Sequence, residues 1–336
     1  MECIEFIDAT LRDGNHALKQ QLSCEDVKRY CAKIDDAGMD AVIVGHGNGL
    51  GASSLQVGLA LENDRDLLST AKKNLKKTRL GAYLIPGFGT IKDNIDPAIE
   101  CGIELLKVGC HCTEADTTRQ HIEYAKFMNL QAYGILMMYH MTSTDKLIEE
   151  AKKMQSYGAD AVIIMDSAGA STPEMVKRTV AGLKNNLDIK IGFHAHNNMS
   201  MAVANTYVAI QEGATVVDGT LRGLGAGAGN CQLEAIAALL KKEGYKTKLD
   251  LYKLFDVSKE IVAPLMNPAN SGLDDISIVS GMSGVFSAFK VHVINAAKTF
   301  DVDARDILME LGRQRVIAGQ EDKIVEIAQR LKKEDL

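Results

Sequence analysis

Three things are missing from this sequence of 336 residues. No stretch approaches the ~18 consecutive apolar residues of a membrane-spanning helix. No basic segment followed by an apolar core opens the chain, so a soluble, cytoplasmic protein is expected. Cysteine occurs seven times, scattered from Cys3 to Cys231 without the spacing of a disulfide framework. In a reducing compartment such thiols are mostly small buried hydrophobes. Positive charge is in deficit as well: 38 Lys and Arg against 44 Asp and Glu leave a formal charge of −6. That balance gives no electrostatic reason to expect nucleic acid or an anionic membrane as a partner. The stretch "CHC" (Cys110, His111, Cys112) has the look of a ligand cluster, but no second Cys pair follows at a zinc-site spacing, and burial is the simpler reading.

What the chain does have is a repeated alternation. Short apolar, β-branched runs at about 4–9, 41–45, 80–85, 105–108, 132–137, 161–165, 189–193 and 215–218 are separated by amphipathic helical segments. Near-continuous apolar strands between helices indicate a parallel sheet covered on both faces, and eight of them indicate a closed barrel. Glycines 38, 102, 158 and 213 end helices just before even-numbered strands, where a left-handed residue is needed. Strands five and seven are preceded by "MNLQA" and "NNLDI", with asparagine near the same place. Ser23 with Asp26 reads as a capping box, and Pro173 as a first-turn residue. The expected class is α/β: a (β/α)8 TIM barrel over residues 1–250, followed by a smaller helical domain over 251–336.

In such a barrel the chemistry sits at the C-terminal ends of the strands. The residues there are Thr10, Arg12, Asp13 and His16; His46 and Asn48; His111, Glu114 and Asp116; Tyr139 and His140; Asp166 and Ser167; His194, His196 and Asn197; and Asp218 and Arg222. Six of the eight histidines fall on this rim. In "FHAHNN", His194 and His196 stand two apart in a strand and therefore face the same side. Two imidazoles with a carboxylate suit a divalent cation, and either Asp13 or Asp8 could supply the carboxylate. The later "GLGAGAGN" lacks the dinucleotide fingerprint. Its glycines either offer backbone N–H groups to an anion or let the loop pass close under the metal; close approach is the favoured reading.

With the rim assembled, the sequence resembles the metal-dependent lyases and synthases that include hydroxymethylglutaryl-CoA lyase and isopropylmalate synthase. Within them it is most similar to the 4-hydroxy-2-oxovalerate aldolases. The similarity is carried by "TLRDGNH", "HGNGLGASS", "IPGFGT", "HCTEAD", "LMMYHM", "DSAG", "FHAHNN", "GLGAGAGN", "ARDIL" with "ELGR", and "GQED". It implies that Asp13, His194 and His196 ligate a divalent cation, usually Mn²⁺, with Mg²⁺ or Co²⁺ as substitutes. Arg12 would face the oxygen that becomes an enolate, and His16 would take the C4 hydroxyl proton. Ser167 would hydrogen-bond the substrate carboxylate, close to His194. Tyr83, Ile85 and Phe286 would border the aldehyde-derived end. The implied activity is cleavage of a 4-hydroxy-2-oxo acid, such as 4-hydroxy-2-oxopentanoate, to pyruvate and a short aldehyde. An acylating aldehyde dehydrogenase is the implied partner, docking on the C-terminal helices, and an oligomer is expected.

Two departures stand out. The family commonly carries tyrosine where "GVFSAF" has Phe286, so a hydroxyl is lost; Tyr83 is a candidate to replace it. Arg222 stands where the aldolases usually have a small residue, either as a cation at the mouth or, as favoured here, as the partner of a local acid. Two other readings compete: an acyl-CoA-dependent synthase of the same superfamily, and a barrel subunit without catalysis.

Overall fold

The structure, a computed structural model, describes residues 3–266 and 272–334. Residues 1–2, 267–271 and 335–336 of the two expected domains lie outside the described residues. Eight strands form a closed parallel barrel in sequence order. They are β1 (Glu5–Asp8), β2 (Ala41–Ile43), β3 (Arg79–Leu84), β4 (Leu105–His111), β5 (Gln131–Met137), β6 (Ala161–Asp166), β7 (Lys190–Ala195) and β8 (Val216–Gly219). Each falls on one of the eight runs read from the sequence.

The turns follow local chemistry. Gly38, Gly102, Gly158 and Gly213 all have positive φ, as does Asn129 before β5. Neither asparagine before β7 does; Asn185 has φ −77° and simply ends its helix. Ser23 and Asp26 form the reciprocal capping box of Cys24–Ile34, and Thr172 caps Pro173–Lys184 with the proline in the first turn. Each such cap stabilises its helix by ~1 kcal/mol.

Strand register decides which side chains reach the site. Ile7 pairs with Asp218, His194 with Asp218, and Met165 with His194. Alternation then sends Glu5, Ile7, Tyr83, Lys107, Tyr133, Met165, His194 and Asp218 toward the barrel axis. The apolar members of that layer form a core of their own with Ile43, Leu105, Ile135, Ile163 and Val216. At the floor of the barrel Glu5 binds Arg79, Tyr133 and Lys190. Opposite-parity residues such as Phe6, Val42, Leu106 and Val162 face the helices and join the larger core.

Beyond β8, Leu254, Val257, Ile261 and Val262 still belong to the barrel–helix core. The helices Asp275–Ser283, Lys290–Phe300, Ala304–Arg313 and Asp322–Glu334 bury a separate cluster centred on Val285, Phe289, Val293, Leu311 and Ile327. This unit is tied to the barrel rim. Ser287 N donates to Ser167 O at 2.9 Å, and Asn198 Nδ2 donates to Ser287 Oγ at 3.0 Å. His140 Nε2 lies 3.2 Å from Gly284 O. These contacts bring the segment carrying Phe286 over the C-terminal ends of the strands.

Candidate active site

Parity settles which aspartate can serve as a ligand. Asp8 faces the helix layer, where Thr10 N and Oγ1 donate to it at 2.9 and 2.5 Å and Tyr30 Oη at 2.5 Å. Asp13 lies past the strand, on the turn that doubles back over the barrel. One ligand atom each from Asp13, His194 and His196 can be brought within 4.8 Å of one another, all three buried. The two imidazole centroids are 5.1 Å apart.

The surroundings fix these donors in ligand form. Burial raises the Asp13 pKa, but Arg12, His196, His16 and His194 outweigh it and hold the carboxyl well below the usual range. Burial lowers the pKa of His196, favouring the neutral ring a metal requires. His196 Nδ1 lies 3.3 Å from Ala226 O, and Asp218 Oδ2 lies 3.1 Å from His194 Nδ1. The first is a hydrogen bond that leaves His196 Nε2 for a cation; the second sets a negative charge beside His194 without hydrogen-bond geometry. Both nitrogens of His194 and Asn230 Oδ1 are buried without a hydrogen-bond partner, as expected of atoms placed to meet a ligand. The donor set therefore fits a divalent cation.

The glycine-rich loop makes its close approach here. A Cβ at Gly225 would stand 1.9 Å from Asn230 Nδ2 and 2.4 Å from Asp13 Oδ2. Asn230, which ends that motif, donates to Asp13 Oδ2 at 2.5 Å, and Ala226 N donates to the same oxygen at 3.3 Å. The sequence reading treated the motif as glycines alone and missed this asparagine.

Arg12 is 2% exposed. Its Nη1 donates to Asp13 Oδ1 at 2.8 Å and to Gly47 O at 3.3 Å, while Nε and Nη2 have no partner. Its Cζ lies over the Tyr83 ring, 4.7 Å from the centroid. His16 rests against Gly47, and burial pushes its pKa down to about 4, so the ring is neutral near pH 7. Gln20 Oε1 accepts from Gly47 N at 2.9 Å, which turns its amide nitrogen to within 3.3 Å of His16 Nδ1. In that arrangement Nδ1 accepts and the neutral ring carries its proton on Nε2. Accepting a proton at Nε2 requires Gln20 to present its oxygen instead.

Beneath the triad lies a pair the sequence reading did not find. Lys107 and Asp218, 111 positions apart, form a fully buried ion pair, and Asp218 also meets His194. Lys107 lies in the barrel interior but is bound to a carboxylate and lines neither cavity described below, so it is not poised as an imine-forming amine.

Two cavities, of about 310 and 370 Å³, open above this floor. His16, Gln20, Gly225 and Ala226 line the first, and Ile85, Gly109, Cys110, His111 and Met137 line the second. Phe286 borders both. Tyr83 lines neither: its hydroxyl lies 3.1 Å from Met137 Sδ. Ser167 Oγ accepts from Met138 N at 3.2 Å. Arg222 is exposed, with φ 57°, and it is its backbone N–H, not its guanidinium, that meets Glu234, at 2.9 and 3.1 Å. Three rim histidines serve loops instead of the triad: His46 binds Gly58 O, His111 meets Thr113, and His140 meets Gly284. Cys110 and Cys112 are buried free thiols.

Residues 3–261 match the family described as HMGL-like, and residues 272–333 match the DmpG-like communication domain. Over 330 residues the chain is 50% identical to a 4-hydroxy-2-oxovalerate aldolase of Pectobacterium atrosepticum, covering 98% of this chain and 96% of that one. The chain belongs to this aldolase family. A relative of the same name from Carboxydothermus hydrogenoformans is 48% identical over 330 residues, 98% of each chain. Membership in the aldolase branch favours it over the synthase alternative. Among solved structures, the carboxyl transferase domain of Rhizobium etli pyruvate carboxylase superposes with a TM-score of 0.83 at 15% identity, over 100% of this chain and 62% of that one. That likeness is one of fold. No helix among the described residues is long and apolar enough to cross a membrane.

Proposed function

We propose that the protein is a divalent-metal-dependent aldolase that cleaves 4-hydroxy-2-oxo acids, 4-hydroxy-2-oxopentanoate among them, into pyruvate and a short aldehyde. The observation that carries this reading is the pairing of a convergent donor set with an unspent cation: Asp13, His194 and His196 converge, and Arg12 beside them keeps two buried nitrogens, Nε and Nη2, without partners. Carbon–carbon cleavage next to a carbonyl needs a sink for the departing electron pair. A bound cation, for which Mn²⁺ is our assignment, supplies Lewis-acid polarisation of the 2-oxo group.

The chain's own residues do the rest. Arg12 directs its free N–H groups at the oxygen on which negative charge develops, a contact that strengthens as the reaction proceeds. With Gln20 turned to present its oxygen to Nδ1–H, His16 accepts the C4 hydroxyl proton at Nε2 as the C3–C4 bond breaks, and the electron pair passes into the enolate of pyruvate, which is protonated at C3 on release. Ser167 orients the substrate carboxylate, and His194 lies against it. Ile85 and Phe286 border the aldehyde-derived end. We assign residues 1–250 to the catalytic barrel and 251–336 to a helical domain that completes the site and docks an acylating aldehyde dehydrogenase, in a cytoplasmic oligomer. The match of residues 272–333 to a communication domain supports that docking role.

The test is pyruvate release from racemic 4-hydroxy-2-oxo acids of increasing length, with Mn²⁺ and again after chelation. Pyruvate that depends on Mn²⁺ is the expected result. Metal-loaded protein that releases none from any chain length would overturn the reading.

A further inference from the structure

We propose that Tyr83 is a positioning residue for Arg12, holding the guanidinium from beneath so that its two free N–H groups stay turned toward the reacting oxygen. The inference rests on the aldolase reading and deepens it.

The guanidinium is tethered at one corner. Only Nη1 has hydrogen-bond partners, Asp13 and the Gly47 carbonyl, whereas Nε and Nη2 have none. A planar cation fastened at one nitrogen can swing about it unless a second contact holds its plane. The Tyr83 ring, 4.7 Å from Arg12 Cζ, is that contact. An aromatic face attracts a cation without consuming an N–H donor, so the constraint leaves both donors for the substrate. A carboxylate in the same place would spend them.

The ring is itself held. Tyr83 is 2% exposed, points inward from β3, and sets its hydroxyl 3.1 Å from Met137 Sδ on β5. The slot it fills exists because residue 109, on the intervening β4, is glycine. A Cβ there would lie 2.2 Å from the phenolic oxygen and 2.9 Å from two ring carbons. Glycine weakens a strand interior and often marks a place where something must approach closely. Here the phenol is what approaches.

The test compares Tyr83→Phe, Tyr83→Leu, Gly109→Ala and the Tyr83→Leu/Gly109→Ala double variant in the full-length, Mn²⁺-loaded protein. The readouts are kcat and KM for 4-hydroxy-2-oxopentanoate cleavage, and the calorimetric affinity of oxalate, a planar dianion of the size and charge of enolpyruvate. Tyr83→Phe keeps the ring face and should stay within about threefold of the parent in both. Tyr83→Leu should lower kcat by on the order of tenfold or more at nearly constant KM and weaken oxalate by a similar factor, leaving Mn²⁺ affinity unchanged. Gly109→Ala displaces the ring and should do the same, but should add nothing in the double variant. Parent-like kcat and oxalate affinity in Tyr83→Leu would overturn the proposal. Should Tyr83→Leu not fold, unchanged oxalate affinity in Gly109→Ala would overturn it equally. A parent protein that makes no pyruvate counts against the aldolase reading alone, because the oxalate comparison still decides the role of Tyr83.

Discussion

Asn230 donates to Asp13 Oδ2 at 2.5 Å across 217 positions of sequence. That bond selects one oxygen of the carboxylate for the loop, while Arg12 takes the other. The space for it depends on Gly225, where any Cβ would collide with both partners. Asn230→Ala should therefore weaken divalent-cation binding by roughly 10–100-fold, the usual cost of losing a group that orients a ligand. Gly225→Ala should do at least as much, and Asp13→Ala should abolish both retention of the cation and turnover. Calorimetric titration with Mn²⁺ measures all three. Parent-like affinity in Asn230→Ala would mean that Asp13 is oriented by Arg12 and the Ala226 N–H alone.

His16 gives a pH prediction with a defined sign. Its neutral form is the one able to accept a proton, and burial holds its pKa at about 4. The acid limb of kcat/KM should thus fall near pH 4, below the ordinary imidazole range around 6.5. In Gln20→Glu, one carboxylate oxygen can still accept from Gly47 N while the other accepts from His16 Nδ1–H. A negative neighbour favours the imidazolium, so the limb should move up by at least about one pH unit. Metal content measured across the same range separates this limb from loss of the cation. An unmoved limb would show that another group carries the titration.

Much of this site was legible because parity and loop chemistry are local. The alternation of apolar runs placed all eight strands, and the spacing of His194 and His196 placed two imidazoles on one face, where they converge with Asp13. The same sequence left Asp8 and Asp13 as rival carboxylates, since knowing which one faces the axis requires the register of β1 against β8. The partners that tune the site were beyond reach for a simpler reason. Asn230 with Asp13, and Lys107 with Asp218, meet only when the barrel closes. Tyr83 was read as lining the aldehyde end; the turn of β3 against β4 places it under Arg12 instead.

Phe286 borders both cavities and packs edge-on against Phe289, with centroids 5.6 Å apart. Tyr83, with its hydroxyl on Met137, does not supply a phenol to the cavity wall. Phe286→Tyr should therefore restore a donor that the site lacks. One added hydrogen bond contributes ~1 kcal/mol, or about fivefold in kcat/KM for the preferred enantiomer of 4-hydroxy-2-oxopentanoate. Progress curves on each enantiomer separately provide the check. Equal rates for the variant and the parent on both would show that the aldehyde end is held by shape alone.

The Lys107–Asp218 pair tests whether the floor of the barrel supports the site or only fills space. Both side chains are fully buried, and Asp218 touches His194 as well. Burial lowers the Lys107 pKa and raises that of Asp218; the mutual attraction opposes both shifts and holds the Asp218 carboxyl well below its usual range. Removing one partner of such a pair typically costs about 3–5 kcal/mol, because the other charge is left without compensation in a low-dielectric interior. Lys107→Met should thus lower the unfolding free energy by that amount, measured from the denaturant midpoint and slope. It should also weaken the cation site, since an Asp218 that becomes protonated no longer sets a negative charge 3.1 Å from His194 Nδ1, so Mn²⁺ affinity should fall with stability. Lys107→Met/Asp218→Asn removes both charges and should recover much of the stability while leaving Mn²⁺ binding weak. Recovery of both properties together would mean that His194 needs no carboxylate behind it.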